Sequence, residues 1–175
     1  NDGSGVAHFV AGHVICGISL VIVCVATTAT ASTRFLLIPE NAASNDTIVP
    51  ATAFTPFQRT VLMALPLLAA VAAWLWAAWL LYFVPDSVAA HIAGHVMAGL
   101  ACICTSLVAL VFTIVRQICN DYADSSRRRY PFLVIAMGLL AVLWGVVLLT
   151  GRATSLSVTG YILIGLGLVC FSISS

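Results

Sequence analysis

Charge is scarce in this chain. Only 7% of its 175 residues are charged, lysine does not occur, and 62% are hydrophobic; the mean hydropathy is +1.11. A soluble domain of this length cannot hide so much apolar surface from water, which places the chain in a lipid bilayer. Carboxylates are missing from every long apolar run: Asp2, Glu40, Asp46, Asp86, Asp121 and Asp124 all fall before or between them. That absence argues against paired-carboxylate hydrolysis and against a transporter driven by an intramembrane acid. No Ser-His-Asp set and no glycine-rich phosphate loop is present either, so an enzyme is the less expected reading. The net charge of +1 gives no basis for a nucleic-acid partner.

Five apolar runs reach the ~18 residues that mark a spanning helix: 6–31, 60–84, 88–115, 132–150 and 158–175. The expected fold is therefore all-α, a polytopic membrane bundle forming a single transmembrane domain over 1–175. No basic stretch precedes a short apolar segment at the start, so the first run is expected to stay in the membrane as a span. The chain opens at Asn1 and its last run ends with no polar flank, so it is expected to be a fragment of a longer protein.

All seven basic residues are arginines. Arg34, Arg59, Arg116, Arg127, Arg128 and Arg129 lie in the first and third connections, and Arg152 alone lies in the fourth. Short cytoplasmic loops hold the excess of such residues, so the loop 32–57 is expected in the cytoplasm and the N-terminus outside. The Arg127–Arg129 cluster fits anionic lipid headgroups better than a dedicated phosphate site. The connections at Pro85-Asp86-Ser87 and at 152–157 are short enough for antiparallel hairpins, and Asp86 or Ser87 is placed to cap the third helix. Pro66 is expected to kink the second.

What the chain does contain is a repeat. Gly12-His13-Val14 with Gly17, Gly94-His95-Val96 with Gly99, and Gly160-Tyr161-Ile162 with Gly165 each open an apolar run. Between them, Ala72-Ala73-Trp74-Leu75-Trp76 and Leu140-Ala141-Val142-Leu143-Trp144 occupy equivalent places. The unit is a two-helix hairpin of one motif helix and one tryptophan-bearing helix. At 3.6 residues per turn the ring and the second glycine of each motif share a face. Gly12, Gly17, Gly94, Gly99, Gly160 and Gly165 are accordingly expected at close helix–helix contacts, where small residues let backbones approach in lipid.

An ionisable ring inside a span is costly and faces protein or a water-filled cavity. His13 and His95, with Tyr161 in the third copy, are the primary candidates for a pore-lining or pH-switching role; they are expected at similar depth and converging. His8 and His91 are secondary. Three roles compete: interhelical hydrogen bonding in a structural membrane scaffold, titration near the imidazole value of about 6.5, and ligation of haem b or a transition metal between His13 and His95. The i, i+4 spacing of His91 and His95 is a weak chelate signal without a further acidic or thiol ligand. Cys16, Cys24, Cys102, Cys104 and Cys170 are expected as small packing groups. Trp74, Trp76, Trp79 and Trp144 read as packing residues or interface anchors before a substrate slot.

The strings Phe9-Val-Ala-Gly-His-Val14, Phe35-Leu-Leu-Ile-Pro39 followed by Asn41-Ala-Ala43, and Val111 to Gln117 resemble the YhiM-like family of multi-spanning bacterial inner-membrane proteins. The likeness runs through the whole chain. It implies the middle section of a longer inner-membrane protein linked to acid stress, and it carries over no catalytic residue or ligand. His13 and His95 match the family's recurring motif, whereas His8 and His91 do not. The functional expectation is a pH-responsive channel or transport-related component handling protons or a small solute, with a homo-oligomer as a compatible assembly.

Overall fold

The structure, a computed structural model, describes residues 3–36, 54–84, 87–118, 129–151 and 154–174. These residues form five helices and no strand: α1 (Gly3–Leu36), α2 (Pro56–Tyr82), α3 (Val88–Ile118), α4 (Arg129–Thr150) and α5 (Thr154–Ser174). The all-helical architecture follows from composition, because a backbone in lipid must satisfy its polar groups within the segment. Four of the helices are long and apolar enough to cross a membrane, and the apolar stretch of α5, Leu156–Ser172, is shorter.

Local chemistry sets several helix ends. Thr55 Oγ1 accepts from Gln58 N at 3.2 Å while Gln58 Oε1 accepts from Thr55 N at 3.2 Å, a reciprocal capping box with Pro56 in the first turn. Ser87 Oγ accepts from Ala90 N at 3.3 Å and caps α3; Asp86 lies outside the described residues. The first helix runs on through Leu36, into the segment read from sequence as the start of the 32–57 loop. Within this stretch Thr30 and Thr33 turn their hydroxyls back onto the carbonyls of Ala26 and Thr30, at 2.8 and 3.0 Å. Residues 37–53 of that loop, and Arg127 and Arg128, fall outside the described residues.

Helix α3 is the centre of the bundle. It packs against each of the other four helices, with α2 and α4 joined to α3 and α5 as hairpins. Small residues make this possible: Ala90, Ala93, Ala98 and Ala101 on α3 are buried, and the short side chains let four neighbours approach one helix. Three apolar layers stack along the axis. Ala77, Leu80, Ala93 and Met97 form the layer nearest the motif rings; Cys24, Ala70, Cys104 and Cys170 form the middle one; Ala31, Leu62, Val111 and Val115 form the third, near Arg34, Arg59 and Arg116. Residues enter these layers in the same order along α1 and α3, so the two motif helices run parallel. Pro66 is buried within α2, and the Cys24 thiol of α1 donates to its carbonyl at 3.8 Å.

Candidate functional site

Each of the two motif histidines lies against a tryptophan of the following helix. His13 on α1 meets Trp76 on α2 edge-to-face, ring centres 5.7 Å apart at 83°. His95 on α3 meets Trp144 on α4 in the same manner, at 5.8 Å and 65°. The four residues occupy equivalent places in the two repeats, so the repeated sequence builds a repeated contact. Edge-to-face pairs of this kind contribute roughly 0.5–1.5 kcal/mol beyond the area they bury.

The two pairs differ in where the proton sits. An indole N–H can only donate, and Trp144 Nε1 reaches His95 Nδ1 at 3.2 Å, so that nitrogen is an acceptor and carries no proton. A carbonyl can only accept, and Phe9 O lies 2.8 Å from His13 Nδ1, so that nitrogen is protonated. His13 also stacks on the Phe9 ring at 4.3 Å. Trp76 has no such acceptor: its buried Nε1–H is without a hydrogen-bond partner. Among the described residues, no hydrogen bond or ring contact joins His13 to His95; each ring is engaged by its own repeat.

The remaining sequence candidates are placed as follows. His91 sits one turn from His95, its Nδ1 3.2 Å from Ser87 O, and both are half-buried. His8 is exposed, and Tyr161 is 68% exposed on the outer face of α5. Of the six motif glycines, Gly17, Gly94, Gly99 and Gly160 are at helix contacts, whereas Gly12 and Gly165 face open space within the chain. Among the described residues, no group of three or more His, Cys, Asp or Glu side chains converges as a metal site would require.

Sequence reasoning read the tryptophans as packing residues or interface anchors, yet Trp76 and Trp144 lie against the motif histidines. The equivalence of Trp76 and Trp144, read beside that of His13 and His95, was the available signal. Trp74 adds a bridge between helices: its Nε1 donates to Thr105 Oγ1 at 3.1 Å, and Thr105 donates on to Ala101 O at 2.8 Å. Trp74 and Trp144 line a small apolar pocket together with Gly99, Cys102 and Leu163, with room for about one water molecule. The buried Cys102 and Cys104 sit on the α5 and α1 sides of α3, where Cys102 lies near Cys170 and Cys104 meets Cys24.

Comparison with known proteins agrees with this architecture. The family model described as "Protein of unknown function (DUF2776)" matches residues 1–175. The chain is 40% identical over 170 residues to inner membrane protein YhiM of Escherichia coli (strain K12), a match covering 96% of this chain and 48% of that protein. The chain thus spans about half the length of this curated relative. No solved structure matches. A repeat of glycine-bearing motif helices and tryptophan helices, matched from end to end by one family model, places the chain in the DUF2776 family.

Proposed function

We propose that this chain is part of an inner-membrane protein that responds to external acid through its motif histidines, as a pH-dependent channel or transport-related component for protons or a small solute. What carries the reading is the repeated histidine–tryptophan contact with opposite proton placement in its two copies. The excess of arginine in the first and third connections supports an N-terminus outside the membrane, with both rings toward the outer surface. The inner-membrane relative supports the compartment.

His95 is the switching group in this scheme. Its Nδ1 accepts from Trp144, so the arrangement requires that nitrogen to be free of a proton. Acidification adds one there, and an N–H then opposes an N–H. The α3–α4 contact is lost at that level, and water gains access to the small pocket beside Trp144. His13 differs, because its Nδ1 is held by Phe9 O and takes no bond from Trp76. A haem or metal between His13 and His95 has less to support it, since the rings are held by different tryptophans on different helices.

The test is flux in proteoliposomes. Proton and small neutral-solute flux is measured at external pH about 5 and about 7, for the wild type and for His13→Asn with His95→Asn. Flux that rises in acid and loses this rise in the double variant is the expected result. Equal flux in every condition would refute the proposal.

A further inference from the structure

One turn before each motif histidine the two repeats differ. Phe9-Val-Ala-Gly-His13 of the first copy matches His91-Ile-Ala-Gly-His95 of the second, so Phe9 and His91 occupy equivalent positions. Each supplies a backbone carbonyl one turn before the motif ring. Phe9 O holds the Nδ1 of His13 at 2.8 Å, whereas the Nδ1 of His95 accepts from Trp144 Nε1 at 3.2 Å. A carbonyl common to both copies therefore does not decide between the two settings.

Separation does not decide either. The rings of His13 and Trp76 are 5.7 Å apart and those of His95 and Trp144 5.8 Å apart, both edge-to-face, so the bond of the second pair fits the spacing of the first. Hydrogen bonding favours it there. A helix carbonyl already takes the N–H four residues on, so Phe9 O gains only a second bond from the ring. The buried Trp76 N–H has no other partner, and a buried donor left unpaired is costly.

The side chain of Phe9 is what differs. Its ring lies on the His13 imidazole, centres 4.3 Å apart at 35°. The equivalent side chain, His91, is directed to the preceding turn, with Nδ1 3.2 Å from Ser87 O. We propose that Phe9 is a positioning residue that holds His13 on its own carbonyl and off Trp76, and that His91 in the same place leaves His95 free to take the bond from Trp144. One residue in each repeat thus sets whether the motif histidine is joined to its tryptophan. The assignment concerns the resting geometry of the two pairs and stands whether or not flux responds to acid.

Nitrogen NMR of the intact membrane protein, isotope-labelled at histidine and tryptophan and held in lipid bilayers, tests it, because the ring signals identify which imidazole nitrogen carries the proton. Spectra are taken at pH about 8, above the ordinary imidazole value of about 6.5, and are assigned by the signals lost in His13→Asn, His95→Asn and Trp76→Phe. In the wild type, His13 carries its proton on Nδ1 and His95 on Nε2. Phe9→Leu is expected to move the His13 proton to Nε2 and to shift the Trp76 indole N–H downfield as it gains a bond. An unchanged His95 signal in that variant shows that the bundle is intact. Phe9→Tyr, which keeps a ring, leaves His13 as in the wild type, and His91→Phe moves the His95 proton to Nδ1 and releases the Trp144 N–H. A His13 tautomer unchanged in Phe9→Leu, a His95 tautomer unchanged in His91→Phe, or the same change in Phe9→Tyr as in Phe9→Leu would overturn the assignment.

Discussion

The indole of Trp144 donates to Nδ1 of His95 across 3.2 Å, joining residues 49 positions apart on two different helices. The equivalent indole, Trp76, lies edge-on to His13 but keeps its N–H unpaired. One contact is thus satisfied and the other is held in shape alone. The difference traces to Phe9, whose carbonyl captures the His13 nitrogen. Among the described residues, no carbonyl plays that part for His95.

Replacing Trp144 with phenylalanine keeps a ring against His95 and removes the donor. A net intramolecular hydrogen bond contributes about 0.5–1.5 kcal/mol. Trp144→Phe is therefore expected to destabilise the bundle by about that amount near neutral pH, measured by reversible unfolding in mixed micelles. His95→Phe with Trp144→Phe is expected to cost less than the two single changes together, because they remove one shared interaction.

The same substitution at Trp76 should act in the opposite direction. A buried donor with no partner costs about 1–3 kcal/mol of desolvation, and Trp76→Phe removes that donor while keeping the edge-to-face contact. Unchanged or increased stability is expected in the same unfolding assay, in contrast to Trp144→Phe.

Much of this fold is legible from hydropathy and repetition. The scarcity of charge gives a membrane bundle, and matching Trp76 with Trp144 gives the two-helix unit. The boundary of α1 was not legible: Ser32, Thr33 and Arg34 look like loop, yet the helix continues through them to Leu36. Nor did helical periodicity reveal the proton placement on the two histidines. Periodicity puts a ring on a face, whereas the atom that holds its proton is chosen by a neighbour from another turn, as with Phe9, or another helix, as with Trp144. The glycines divide for a similar reason. Six identical residues in one motif have different surroundings, because α3 stands between α1 and α5 in the bundle.

That division has a measurable consequence. A Cβ at Gly160 would meet Gly145 O at 2.8 Å, and one at Gly145 would meet Gly160 O at 2.7 Å. The obstacle in both cases is backbone, which cannot turn aside as a side chain does. Gly160→Ala and Gly145→Ala are each expected to cost about 1–3 kcal/mol by forcing α4 and α5 apart. Gly12→Ala adds its methyl group to open space and restricts the unfolded chain, so it should leave stability unchanged or raise it by up to about 1 kcal/mol.

The last prediction concerns Trp144 as a reporter of acid. With Trp74, Trp76 and Trp79 replaced by phenylalanine, Trp144 is the remaining fluorophore among the four tryptophans. While His95 Nδ1 accepts its N–H, the indole is held against the ring in an apolar pocket. A proton on that nitrogen ends the bond and admits water, so the emission should shift to longer wavelength as external pH falls from about 7 to about 5. Reversal on return to neutral pH separates this change from unfolding. His95→Asn should flatten the pH response, whereas His13→Asn should leave it in place, because His13 contacts Trp76 on a different helix. A shift that survives His95→Asn would assign the response to another group.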